Sequence, residues 1–171
     1  MSDPEALRLI LTRHAKSGWD DPALRDHERP LSPRGQRNAG ALGKWLAKWG
    51  DCPDQVLCSD ATRTLQTWSI IATLCRGATD VRLVPSLYNA APQTLLAQLH
   101  KASGRRVMLI AHNPGIGLLA HSLARTAPQH PRFDDYPSAA TLVLDFKVRS
   151  WADVVPASGR VVDFVVPRDL P

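Results

Sequence analysis

Apolar residues along this chain follow two rhythms. "LRLILT" (Leu7 to Thr12) and "RRVMLIAHNPG", with its unbroken apolar run from Val107 to Ala111, read as strands buried on both faces; "QVLCS" (Gln55 to Ser59) reads as a shorter one. Between them the spacing becomes helical. Leu42, Trp45, Leu46 and Trp49 form one stripe over Pro33 to Trp49, with Ser32 as the cap and Pro33 at the first helical position. "ATRTLQTWSIIATLC" carries Leu65, Trp68, Ile71, Ala72 and Cys75 on one face, and "PQTLLAQLHKA" carries Leu95, Leu96 and Leu99. Ile116 to Leu123 is a further apolar helix, and "VRLVPSLY" reads as extended.

Alternation of strand and helix, with unbroken apolar strands, predicts an α/β fold: a mainly parallel sheet covered on both faces, a three-layer αβα sandwich. The closing segments "AATLVLDF" and "GRVVDFVVP" alternate in polarity across a turn-rich stretch, which predicts an antiparallel hairpin at the sheet edge. A long polar, Pro-punctuated loop, "GWDDPALRDHERPLSPRG", separates the first strand from the first helix. No repeat, low-complexity tract or linker interrupts residues 1–171, so one domain is expected.

Composition narrows the function classes. With 171 residues and 44% hydrophobic content, the chain can build a substantial core. The apolar runs are too short to cross a bilayer, and "MSDPEALR" lacks the basic start and apolar stretch of a leader, so a soluble cytoplasmic protein without a membrane partner is expected. A net charge of +5 favours anionic partners, but Lys and Arg are spread along the chain without a nucleic-acid motif or a basic tail, so no nucleic-acid partner is expected. Cys52, Cys58 and Cys75 form neither a C-x-x-C pair nor a metal-ligand spacing with histidine, and are expected to be packed or idle thiols in a reducing compartment.

In an open α/β sheet, ligands bind beyond the carboxyl ends of the strands. Here the first strand runs into Arg13-His14, the second into "SDATR" with Arg63 in the first turn of a helix, and the strand at Val107 to Ala111 into His112. A lone His at a strand end is ordinarily a hydrogen-bonded structural residue, and a lone Arg a solvated one. Four such residues from three strand ends make that explanation a coincidence. They suit a tetrahedral dianion such as a phosphoryl group, whose oxygens match guanidinium forks. His14 beside such a group is either a further hydrogen-bond donor or, neutral with one bare ring nitrogen, a nucleophile; patterning does not choose. The carboxylates are not gathered with the histidines at ligand spacing, so no metal and no cofactor is expected. His27, His100, His121 and His130 read as surface or structural residues.

"LILTRHAKS", followed in order by "ERPLSPRG", "CSDATRT" and "LIAHNPGI", resembles the Arg-His signature of the histidine phosphatase superfamily, and most closely its short SixA-like branch of phosphohistidine phosphatases. The resemblance covers roughly Leu7 to Phe146. It implies the phosphoglycerate mutase-like fold, His14 as phosphorylated nucleophile, Arg13 and Arg63 as ligands of phosphoryl oxygens, and His112 as the second histidine of the pocket. It further implies Arg29, in "ERPLS", as another phosphate-binding arginine, and Ser138, in "YPSAAT", as a small hydroxyl residue supporting the pocket.

Two departures stand out. The superfamily signature usually continues into Gly, where this chain has Ala15 and then Lys16. Larger members carry a general acid in the segment matching "SLYNAAPQTLL", where Tyr88-Asn89-Ala90-Ala91 offers no carboxyl group. An alcohol leaving group resembles water, with a pKa near ~15.7, and needs a proton, whereas imidazole near ~6.5 leaves without strong acid help. Phosphohistidine in a protein is therefore the favoured substrate class. Asp20, Asp21, Asp26, Glu28 and Asp60 are the carboxylates that folding could bring to the site as an acid. Two other readings are a phosphatase for a small phosphomonoester, and a non-catalytic module that binds phosphate or a phosphorylated partner.

Overall fold

The strand Leu7–Arg13 (β1) divides its apolar side chains between two cores. Leu9 and Leu11 join one buried cluster and Ile10 joins the other, as the two-residue period of a strand requires. The strand Arg106–Ala111 (β4) does the same, with Leu109 on one side and Met108 and Ile110 on the other. A sheet apolar on both faces needs a helical layer on each. In the computed structural model, which describes residues 6–171, both layers are present. The N-terminal stretch read above as lacking a leader lies largely outside the described residues, which begin at Ala6.

One layer pairs Pro33–Lys48 (α1) with Thr62–Leu74 (α2), where Leu42, Leu46, Trp68 and Ile71 pack onto Ile10, Val56 and Met108. The other pairs Pro92–Leu99 (α3) with Gly115–Leu123 (α4), where Leu95, Leu99, Leu119 and Leu123 face Leu9, Leu11 and Leu109. Between them, with Gln55–Cys58 (β2), Asp80–Leu83 (β3), Thr141–Phe146 (β5) and Arg160–Val165 (β6), the six strands run in the order β3-β2-β4-β1-β5-β6. β3, β2, β4 and β1 are parallel to one another, while β5 pairs antiparallel with β1 and β6 antiparallel with β5. The αβα sandwich and its antiparallel edge are as the sequence predicts.

Ser32 caps α1 by accepting from the Gly35 amide. α1 ends at Lys48, and Trp49, the last residue of the expected stripe, is 62% exposed as the cap beyond the final turn. The expectation of three idle thiols fails: Cys52 and Cys75 form a disulfide across 23 positions, leaving Cys58 free and buried. The physical reason is the strand-loop-helix unit, which brings the end of α2 back over the approach to β2 and puts the two Cα atoms 5.2 Å apart. Among the described residues, no helix is long and apolar enough to cross a membrane.

Candidate active site

Sheet order places the three strand ends side by side. β2, β4 and β1 are consecutive, Arg13 is in register with Ala111, and the His14 and Ser59 amides donate to the Ala111 and Ile110 carbonyls. His14, His112 and Ser59 therefore leave the sheet as neighbours. The two imidazole centroids are 5.2 Å apart.

His14 is buried, and its Nδ1 lies 2.7 Å from the Ala15 carbonyl. A carbonyl only accepts, so Nδ1 carries the proton and Nε2 keeps its lone pair. Arg63, in the first turn of α2, donates Nε to that Nε2 at 3.4 Å. Burial, reinforced by the Arg63, Arg13 and Arg29 charges, pushes the His14 pKa down to about 3, against the Ala15 hydrogen bond. The same causes, burial first and then His14 and Arg63, take His112 down to about 3. Both imidazoles are neutral at physiological pH. His112 Nε2 shares a 2.8 Å hydrogen bond with Ser59 Oγ. Arg13 donates to the Tyr136 carbonyl, and its own pKa is lowered by burial and by Arg63. Among the described residues, the buried side-chain nitrogens without a hydrogen-bond partner are Arg13 Nε and His112 Nδ1.

Asp26, from a 3-10 turn in the long loop, completes the constellation. Its carbonyl accepts from Arg63 Nη1 at 2.8 Å and its carboxylate from Arg63 Nη2 at 3.1 Å. The same carboxylate accepts from Arg29 and from the Tyr88 hydroxyl. The Tyr88 hydrogen bond, then the two arginines, hold the Asp26 carboxyl well below the usual carboxylate range despite partial burial, so it is an anion and not a proton donor. Arg29 is thereby fastened to Asp26, Ser17 and the Gly18 carbonyl, with the Trp19 ring 3.5 Å from its Cζ; it reaches the site through Asp26. Tyr88 lies edge-on to His112, centroids 5.3 Å apart, and to His27, which pairs with Asp60 at 2.9 Å. His27, a partly exposed residue held by Asp60, thus stands beside Tyr88 at the rim of the site. Of the other candidate acids, Glu28 pairs with exposed Arg25, and Asp20 and Asp21 are exposed.

Neighbouring loops are locked by close approaches. A Cβ at Gly115 would meet the Ala90 carbonyl at 1.9 Å, so the bare glycine lets the start of α4 pack on the Tyr88 loop. Tyr136 (φ 43°) and Ala139 (φ 62°) occupy the left-handed region, which costs roughly 1–2 kcal/mol each. The Ala139 amide donates to the Arg13 and His14 carbonyls, and Tyr136 Oη to the Leu11 carbonyl, so the strained turn clamps the end of β1.

Sequence reasoning missed Asp26 as a clamp between arginines, and Tyr88 and Ser59 as contacts of His112. Their signals are weak: Asp26 was one of five candidate carboxylates, and Tyr88 is a lone aromatic in the segment that lacks the expected acid.

Comparison with known proteins agrees with this geometry. Residues 9–91 match the model of the histidine phosphatase superfamily, branch 1. An uncharacterized protein of Mycobacterium tuberculosis is 36% identical over 165 residues, covering 91% of this chain and 99% of the relative. A structure from Nakamurella multipartitia, provisionally named phosphohistidine phosphatase SixA, superposes with a TM-score of 0.81 at 30% identity, covering 97% of this chain and 99% of that one. An Agrobacterium tumefaciens protein of the same provisional name gives 0.77 at 26% identity, covering 94% and 98%. A protein histidine phosphatase SixA complexed with tungstate, at 19% identity and a TM-score of 0.76 over 95% and 99%, shares the fold. With a neutral imidazole beside buried guanidinium groups at the signature positions, and relatives along nearly its whole length, this chain belongs to the histidine phosphatase superfamily.

Proposed function

We propose that the chain hydrolyses phosphohistidine in a protein substrate through a phosphorylated His14. The observation that carries this reading is the tautomer: Nδ1–H tied to the Ala15 carbonyl leaves Nε2 bare beside Arg63. Nε2 attacks phosphorus, forming a P–Nε2 bond as the P–N bond of a phosphohistidine already protonated on its other ring nitrogen breaks, so that imidazole departs neutral and keeps that proton. Water then attacks phosphorus and returns the electron pair to Nε2, its proton passing to the phosphate or to solvent. Arg13, Arg63 and His112 hold the phosphoryl oxygens, which would give Arg13 Nε and His112 Nδ1 the partners that they lack within the chain. Arg29 adds positive potential and holds Asp26, which aims Arg63.

The ionised Asp26 supports the choice of leaving group. The carboxylate that holds Arg63, the arginine on His14, is also occupied by Arg29 and has no proton to give an alkoxide. Exchange between imidazoles needs none. The test is incubation with a radiolabelled phosphodonor: acid-labile label should appear on the wild type and be absent from His14→Ala. A phosphohistidine peptide should turn over at least ~10²-fold faster than an alkyl phosphate. An alkyl phosphate turned over equally well would replace this substrate class with small phosphomonoesters, and phosphate binding without any adduct would make the chain a binding module.

A further inference from the structure

Beside the buried site lies a second, more open cationic place. A cavity of about 630 Å³ is lined by Lys16, Arg34, Arg132 and Arg168 together with Asn38 and Ser138, and no carboxylate among the described residues lines it. Four stretches of chain meet there. Lys16 is two residues beyond His14, and its carbonyl accepts from both the amide and the hydroxyl of Ser32, which brings the first turns of α1, with Arg34 and Asn38, against the exit of β1. Ser138 precedes Ala139, whose amide holds the Arg13 and His14 carbonyls. Arg168 belongs to a 3-10 turn, Pro167–Asp169, that follows β6 and packs on α1. Arg132 pairs with Asp135; Lys16, Arg34 and Arg168 have no side-chain ion-pair partner among the described residues.

We propose that this cavity receives an acidic segment of the phosphorylated protein, next to the phosphohistidine presented to His14. The inference rests on the proposed function for its substrate and adds the contact that selects it. The cations are exposed, and an exposed pair contributes only about 0–1 kcal/mol, so one small anion gains little here. Several carboxylates engaged at once gain more, particularly when the phosphoryl group already tethers them and raises their effective concentration. Asn38 and Ser138 supply neutral hydrogen-bonding groups within the same wall.

The experiment uses the intact chain and two phosphohistidine peptides, one with glutamates flanking the phosphohistidine and one with serines instead. The glutamate peptide should have a kcat/KM at least about tenfold higher at low salt. Replacing Arg34→Gln together with Arg168→Gln should remove that advantage while turnover of p-nitrophenyl phosphate stays within about twofold. Titration of the ¹⁵N-labelled protein with an unphosphorylated glutamate peptide tests the cavity independently of hydrolysis: the amides of Lys16, Arg34, Ser138 and Arg168 should shift. Failure to hydrolyse either peptide, with those shifts present, counts against the substrate class and leaves the cavity as an acidic-peptide site. Absence of the shifts, no preference between the two peptides, or equal saturation of the same amides by inorganic phosphate overturns the docking proposal.

Discussion

Two cationic regions meet at the end of β1, and they differ in what surrounds the charge. At the candidate active site, Arg63 is 4% exposed and each of its nitrogens has a named acceptor: His14, or the carbonyl and carboxylate of Asp26. Around the neighbouring cavity, Lys16, Arg34 and Arg168 stand in solvent on long stems. A buried, pre-aimed cation acts in a low dielectric and loses little orientation when the reaction charge develops, whereas an exposed one is screened by water and salt. The first kind of site suits chemistry; the second suits preference and encounter rate. Their adjacency lets one substrate use both.

The contrast can be broken most sharply at its centre. His14→Ala should lower turnover by ~10³-fold or more, read in steady-state kinetics and in the missing covalent label, because the group forming the new bond is gone. Arg63→Ala should cost ~10²–10³-fold, and the loss should persist in high salt. A near-normal rate, or a deficit erased by salt, would place Arg63 in the same class as Arg34. Asp26→Asn should lower kcat roughly tenfold by loosening Arg63, while tightening product inhibition by phosphate, since a competing anion has left the same guanidinium.

Mild acid should leave His14 uncharged where an ordinary histidine would be protonated. With folded pKa values pushed down to about 3, the His14 and His112 ring signals should not titrate between pH 8 and 5 in NMR spectra. The linked effect on stability has a definite sign. The unfolded chain binds protons at these histidines near pH ~6.5, so stability is fully present above that value and declines as pH falls from there towards 3. The smallest effect on turnover belongs to the far side of α2. Replacing both Cys52 and Cys75 with Ser should lower unfolding stability by about 2–4 kcal/mol in denaturant titration and leave kcat unchanged.

These differences also explain what was legible in the sequence. Arg13, His14 and His112 lie at the ends of buried strands, where apolar runs announce the strand and the next polar residues are carried to the sheet's rim. Arg63 sits in the first turn of a helix whose stripe is equally plain. Asp26 and Tyr88 come from loops without periodicity and meet across 62 positions, a proximity that depends on how two irregular segments cross the sheet. The Cys52–Cys75 pair was hidden similarly, since its 23-residue separation matches no motif and only the return of α2 closes it. Trp49 has the right spacing but stands at the C-cap of α1, beyond its last helical residue.

Gly35 joins the two regions. A Cβ there would fall 2.0 Å from the Lys16 carbonyl. A single methyl group would wedge α1 from the exit of β1, tilting the backbone that carries His14 and drawing Arg34 away from Lys16 in the same movement. The exposed charges can be exchanged one by one, whereas a side chain at Gly35 would strain the backbone that both regions share.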